Sequence, residues 1–116
     1  MELVLKFFDI KEGDEIITTP YTYTATSSVA VHRGIKPIYV DVKKDTFEMD
    51  IDKVAEKITE KTRVIMPVDI AGVPFDYDGL KKVLKDLGRE DIMILCDSAH
   101  SFGAKYKGKP VGSQCD

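Results

Sequence analysis

Residues 92–103 read IMILCDSAHSFG, an apolar run that ends abruptly on a carboxylate. The run 92–96 has no charged residue, which is typical of a strand buried on both faces of a parallel sheet. Because ligands of open α/β sheets bind beyond the carboxyl ends of strands, Asp97 and His100 are candidate ligand residues. The alternative is that Asp97 caps a following helix and that His100 is a surface residue.

The composition is that of one soluble globular domain. The 116 residues are 43% hydrophobic and 32% charged, and the net charge is −3. This acidic balance argues against nucleic acid or an anionic membrane as a partner. No apolar run approaches the ~20 residues that a bilayer-spanning helix needs.

The two cysteines, Cys96 and Cys115, form no CxxC motif. Cys96 lies in the predicted buried strand, where a free thiol behaves as a small apolar side chain. We therefore expect both thiols to be reduced and the protein to be cytoplasmic. A zinc site from Cys96, His100 and Cys115 stays open, although the spacing matches no usual zinc pattern.

Predicted helices and strands alternate along the rest of the chain. Periodicity predicts helices at 2–10, 27–33, 51–58 and 77–87, and strands at 15–19, 36–42, 63–69 and 92–96. Thr26 or an earlier threonine, Asp50 and Asp76 are the expected caps of the last three helices, and a hairpin is expected around Lys107–Gly108. This alternation predicts an α/β fold with a mainly parallel sheet and helices on both faces.

Residues 20–28 read PYTYTATSS and carry no charge. They follow a predicted strand, so the hydroxyl groups and one aromatic ring suit a small-ligand loop. The alternative is a helix-capping segment with surface tyrosines.

Several motifs occur in a fixed order and spacing over nearly the whole chain. They are GDEII at 13–17, TYTAT at 22–26, GIKPIYVD at 34–41, ITEKTRVIMPV at 58–68, AG at 71–72, CDSAHSFGA at 96–104 and YKGK at 106–109. Together they closely resemble the DegT/DnrJ/StrS family of sugar aminotransferases, which depend on pyridoxal 5′-phosphate (PLP). The resemblance implies the fold type I architecture, which is that of aspartate aminotransferase.

The resemblance also implies roles for four residues. Asp97 matches the aspartate that pairs with the pyridine nitrogen of the cofactor, and a carboxylate there keeps that nitrogen protonated. His100 matches a residue that hydrogen-bonds the phenolic oxygen. Tyr23 matches an aromatic residue that stacks on the ring, and Ala99 matches a small residue packed beneath it.

The sequence departs from the family pattern in what it lacks. The Schiff-base lysine of the family is expected beyond Asp116, and Lys105, Lys107 and Lys109 do not match it because they lie in the predicted exposed hairpin. The main phosphate-binding segment is expected upstream of Met1, and the C-terminal small domain is missing. We therefore expect residues 1–116 to be a partial PLP-binding large domain that is inactive alone.

By resemblance, the parent enzyme transfers an amino group from glutamate to a keto-sugar nucleotide in amino-sugar, cell-surface polysaccharide or antibiotic-sugar biosynthesis, and it is a homodimer. Three alternatives stay open. The first is a non-catalytic remnant that binds a ligand weakly or serves as an interaction module. The second is the dehydratase branch of the family. The third is a hydrolase that uses Ser98 or Ser101 with His100 and Asp97, although the GxSxG motif is absent.

Overall fold

The computed structural model describes residues 1–116 and contains a four-stranded parallel sheet with the strand order β2-β1-β3-β4. The strands are β1 (Glu15–Thr18), β2 (Lys36–Tyr39), β3 (Thr62–Ile65) and β4 (Met93–Ile94). The helices are α1 (Glu2–Phe7), α2 (Ala25–Val31), α3 (Ile51–Lys57) and α4 (Tyr77–Asp86). A short hairpin of β5 (Lys105–Tyr106) and β6 (Lys109–Pro110) follows, as predicted.

Strands β1, β3 and β4 each contribute side chains to two separate apolar cores, because successive side chains along a strand point to opposite faces of the sheet. Ile17, Ile65 and Ile94 pack in one core with the apolar residues of α3 and α4. Their neighbours Ile16, Val64 and Met93 pack in a second core with Leu5 of α1 and Ala30 of α2. The predicted fold class, with helices on both faces of a parallel sheet, is therefore confirmed.

The strands are shorter than the apolar runs that contain them. β3 ends at Ile65, shortly before Pro67, which has no N–H group to donate to a ladder. Pairing resumes only as a single parallel bridge between Val68 and Asp97. The predicted strands 63–69 and 92–96 are thus too long, but their ends remain side by side.

Two of the three predicted helix caps are confirmed. The backbone N–H of Asp52 donates to Asp50 Oδ1 at 3.2 Å, and that of Gly79 donates to Asp76 Oδ1 at 3.1 Å. For α2, the earlier threonine Thr24 takes the N-cap position without a side-chain hydrogen bond to the helix, whereas Thr26 lies inside the helix and its hydroxyl bonds to Asp97. No helix combines the length and the hydropathy that crossing a membrane would require.

The apolar residues Leu3, Val4, Phe7 and Phe8 predict the buried side of α1, but the helix buries a different side. Leu3 and Phe7 are 82% and 81% exposed, whereas Leu5 is fully buried. Leu5 lies nearly opposite the i, i+4 pair of Leu3 and Phe7 on a helix. Since this helix has only six residues, periodicity had too few turns to distinguish its two apolar sides.

The expectation of two reduced cysteines is wrong for this structure. Cys96 and Cys115 form a disulfide, with their Cα atoms 6.0 Å apart. The backbone N–H of Asp116 donates to Ile94 O at 3.1 Å and Asp116 Oδ2 accepts from Ile94 N at 2.8 Å, and these bonds hold the neighbouring Cys115 beside β4. The zinc site from Cys96, His100 and Cys115 is not formed, and no other group of three metal-ligating side chains converges.

Candidate functional site

Three loops meet at the carboxyl edge of the sheet. They are residues 19–26 after β1, residues 69–74 beyond β3, and residues 97–101 after β4, here called the 97–101 turn. Because β1, β3 and β4 are adjacent and parallel, their carboxyl ends bring these loops together. Ligand sites in open α/β sheets are found at this edge.

Asp97 is held in place by two hydrogen bonds and is 8% exposed. The Thr26 hydroxyl donates to Oδ2 at 2.7 Å, and the Ala99 N–H donates to Oδ1 at 3.3 Å. An ionised carboxylate offers about four lone-pair positions, so capacity remains for a further donor. No helix follows Asp97 directly, which removes the alternative that it is only a helix cap.

His100 presents one nitrogen to a backbone donor and leaves the other available. Its Nδ1 accepts from Ala71 N–H at 3.3 Å, and the side chain is exposed. In the neutral ring this bond assigns the hydrogen to Nε2. His100 can therefore donate a hydrogen bond from Nε2 to a ligand oxygen.

A cavity of about 340 Å³ lies at the same edge, and its lining residues are Pro20, Tyr21, Thr22, Tyr23, Ile70 and His100. Its size lies at the lower end for small-molecule sites. Tyr23 is 78% exposed, so the ring is open to stacking. Asp97 does not line this cavity but connects to it, since Thr22 and Thr26 share a hydrogen bond of 2.8 Å and Thr26 donates to Asp97.

The serines beside His100 do not form a nucleophile–base pair. Ser98 Oγ and Ser101 Oγ both donate to Asp69 Oδ2, at 3.0 and 2.6 Å. Activation of a serine requires its hydroxyl to bond to the base. The geometry therefore does not support the hydrolase alternative.

The lysines of the hairpin are exposed, as predicted. Lys105, Lys107 and Lys109 are exposed, and Lys107 forms an ion pair with Asp78 at the start of α4. No lysine lines the cavity.

Comparison with known proteins identifies the family of the chain. The family model described as the DegT/DnrJ/EryC1/StrS aminotransferase family matches residues 1–116, the whole chain. The chain belongs to the DegT/DnrJ/EryC1/StrS aminotransferase family. The expected family and fold type are confirmed.

Three relatives within the DegT/DnrJ/EryC1/StrS family illustrate the match. The chain is 40% identical over 113 residues to UDP-4-amino-4-deoxy-L-arabinose–oxoglutarate aminotransferase of Shewanella sediminis, covering 97% of the chain and 28% of that protein. It is 36% identical over 113 residues to GDP-perosamine synthase of Escherichia coli O157:H7, covering 97% of the chain and 30% of that protein. The PLP form of Spr1654 from Streptococcus pneumoniae superposes with a TM-score of 0.94 at 43% identity, covering 99% of the chain and 32% of that structure. The chain thus spans less than a third of the relatives that it matches.

The structure brings the four predicted site residues of this family member to one edge of the sheet. Asp97, Ala99 and His100 share the 97–101 turn, and Tyr23 lines the cavity with His100. Their contacts with a cofactor stay a prediction.

Sequence reasoning missed two residues of the site, Thr26 and Asp69. Thr26 was interpreted as a helix cap and as one hydroxyl group of the loop 20–28, but its hydrogen bond to Asp97 was not expected. Asp69 ends an apolar run as Asp97 does, and it accepts hydrogen bonds from both serines of the 97–101 turn. That shared position after neighbouring parallel strands was the available signal.

Proposed function

We propose that this chain is the cofactor-binding part of an enzyme that uses PLP to transfer an amino group from glutamate to a keto-sugar nucleotide. The observation that carries the proposal is the Asp97 carboxylate, fixed at the end of β4 by Thr26 and Ala99. A cavity lined by Tyr23 and His100 lies at the same edge of the sheet, and hydrogen bonds through Thr22 and Thr26 connect it to Asp97. The names of the Shewanella and Escherichia relatives support the substrate class.

Two side chains would hold polar atoms of the cofactor. Asp97 accepts a hydrogen bond from the protonated pyridine nitrogen and keeps the proton on that atom, because a buried carboxylate stabilises a nearby positive charge. His100 donates from Nε2 to the phenolic oxygen, since its Nδ1 is occupied by Ala71 N–H. When bound, PLP supplies an electron-withdrawing ring that lets the amino group move between two substrates.

Two further residues would shape the space for the ring. Tyr23 offers an exposed aromatic face for stacking. Ala99 ends at its Cβ atom, so it leaves room beside the 97–101 turn where a longer side chain would clash with the ring.

We further propose that residues 1–116 form part of the large domain of a homodimeric enzyme, and that the lysine segment and the small domain belong to other parts of the protein. Exposed apolar side chains at the carboxyl edge support a covering by more protein: Phe102 is fully exposed and Val73 is 63% exposed.

A cytoplasmic location follows from the family resemblance. The disulfide of Cys96 and Cys115 does not support it, because disulfides are rare in the cytoplasm of mesophiles.

A second candidate is a non-catalytic protein that binds a phosphorylated ligand. The observation that favours it is the hydroxyl-rich loop after β1, whose Tyr21, Thr22 and Tyr23 line the cavity. Borohydride reduction of the PLP-loaded protein distinguishes the two candidates. Covalent retention of the cofactor on a lysine, read by mass spectrometry, supports the enzyme, and complete release on denaturation supports the binding protein.

The central test changes Asp97→Asn in the full-length protein and measures the dissociation constant of PLP by absorbance titration. The substitution removes a charge-assisted hydrogen bond, which contributes about 1.5–3 kcal/mol, so PLP should bind about 10- to 100-fold more weakly. Asp91→Asn is the matched control, since Asp91 is exposed and pairs with Arg89 away from the site. Its PLP affinity should equal that of the wild type.

Two results would contradict the proposal. One is a wild-type protein, folded by circular dichroism, that binds no PLP. The other is an Asp97→Asn protein with unchanged affinity and an unchanged absorbance spectrum of the bound cofactor.

A further inference from the structure

A fully buried carboxylate lies beneath the 97–101 turn and has no part in the cofactor contacts proposed above. Asp69 is 0% exposed and accepts four hydrogen bonds: from Phe75 N–H at 2.8 Å, Tyr77 OH at 2.6 Å, Ser98 Oγ at 3.0 Å and Ser101 Oγ at 2.6 Å. Four donors match the acceptor capacity of an ionised carboxylate. Burial of such a group is costly unless its hydrogen bonds are made, so this network fixes all of its members.

The two oxygens of Asp69 serve different parts of the molecule. Oδ1 accepts from Phe75 N–H and Tyr77 OH at the beginning of α4. Oδ2 accepts from Ser98 and Ser101, which flank Ala99 and His100. The carboxylate therefore joins the 97–101 turn to α4.

The loop that follows Asp69 contacts the same turn at independent points. Asp69 N–H donates to Asp97 O at 3.0 Å, and Ala71 N–H donates to His100 Nδ1 at 3.3 Å. A Cβ atom on Gly72 would lie 3.1 Å from His100 O, which indicates a close approach of the two backbones. Residues 69–72 thus hold both ends of the turn that carries Asp97 and His100.

We propose that Asp69 is a positioning residue, whose carboxylate holds Ser98 and Ser101 so that Asp97 and His100 are oriented toward the cofactor. The inference rests on the proposed function. Asp69 itself does not touch the cofactor and acts only through the 97–101 turn. Loss of its contacts on Oδ2 should therefore weaken cofactor binding, whereas loss of a contact on Oδ1 should affect folding alone.

The test uses two variants of the full-length protein that are matched at Asp69. Ser101→Ala and Tyr77→Phe each delete one buried hydroxyl that donates to Asp69 at 2.6 Å, but only Ser101 lies on the turn. We expect Ser101→Ala to raise the dissociation constant of PLP about tenfold, the loss that corresponds to one misaligned hydrogen bond. It should also shift the pH midpoint of the absorbance of the bound cofactor. Tyr77→Phe should leave the dissociation constant of PLP within about twofold of the wild-type value and the pH midpoint unchanged. Both variants should lower the unfolding midpoint.

The outcomes separate this inference from the proposed function when Asp97→Asn is measured alongside. If Asp97→Asn weakens PLP binding but neither Ser101→Ala nor Tyr77→Phe changes it, Asp69 acts only on folding; if both weaken it equally, the effect is not specific to the 97–101 turn, and in either case the inference is overturned. If Asp97→Asn binds PLP like the wild type, both the proposed function and the inference fail. If Ser101→Ala does not fold, Ser98→Ala takes its place, because Ser98 is half-buried and makes the longer hydrogen bond to Asp69. Ser98→Ala must then raise the dissociation constant of PLP.

Discussion

Tyr77 couples the stability of the protein to pH in the alkaline range. Burial raises the pKa of its phenol well above the ordinary value of 10.0, and the hydrogen bond to the Asp69 carboxylate raises it further. A group with a raised folded-state pKa contributes stability that is complete below the unfolded pKa and is lost as the pH rises toward the folded value. Tyr77 therefore stabilises the folded protein up to about pH 10.

Above that pH we expect the free energy of unfolding to fall by about 1.4 kcal/mol per pH unit from this one group. Urea unfolding at about pH 9 and about pH 11 measures the loss. Tyr77→Phe lacks the titrating proton and is the control, because all other alkaline groups are shared. If the free energy of unfolding falls equally with pH in the wild type and in Tyr77→Phe, Tyr77 is not the cause of the pH dependence.

At the residue scale, the sequence predicted which side chains meet but only part of how they bond. Asp97 and His100 were identified because both follow a buried apolar run. Thr26 was assigned to a cap because a threonine at a helix start usually bonds to the helix itself. Its actual partner, Asp97, is 71 positions away, and such long-range bonds leave no local pattern.

Gly79 gives a prediction at the scale of the element. It lies in the first turn of α4, where alanine would normally stabilise a helix by about 1 kcal/mol. Here a Cβ atom would overlap the Asp76 carboxylate, 2.9 Å from its Cγ, and would lie 3.2 Å from Ile51 Cδ1. That carboxylate caps the helix through Gly79 N–H and also accepts from Tyr106 OH at 3.0 Å.

We therefore expect Gly79→Ala to lower the free energy of unfolding by roughly 1 kcal/mol, because displacement of the cap outweighs the gain in helix propensity. Thermal and chemical unfolding measure it. The sign should reverse when Asp76→Ala is introduced first, since the clash is then gone. If Gly79→Ala instead raises the free energy of unfolding of the otherwise wild-type chain, the Asp76 side chain moves aside without loss of the cap, and this expectation is wrong.

The helices and strands show why sequence periodicity predicts that an element exists more reliably than where it begins and ends. α4 has ten residues, enough for a clear apolar side, and was predicted to within one residue. α1 has six, and its exposed and buried sides are both apolar. The lengths of the strands were overestimated. An apolar run continues wherever side chains are buried, whereas the hydrogen-bonded ladder stops where a backbone N–H is missing, as at Pro67.

At the scale of the whole molecule, the parallel sheet could be inferred from the alternation of elements, but neither the strand order nor the approach of residues 115–116 to β4 could. Residues 111–116 contain no strand or helix signal, yet Asp116 bonds to Ile94 at both N and O. This approach encloses the 97–101 turn between two cysteines that are 19 positions apart. The disulfide therefore closes a loop that contains Asp97, Ala99 and His100.

Closing a loop of this length stabilises a folded chain by about 3 kcal/mol in the chain-entropy model. We expect protein purified in air to show no free thiol when titrated in denaturant, and dithiothreitol to lower its free energy of unfolding by about that amount. Cys115→Ser should unfold at the reduced value and should not respond to dithiothreitol, because its remaining thiol has no partner. Two free thiols in the untreated wild type, together with no effect of the reductant, would instead favour the dithiol that a cytoplasmic location implies.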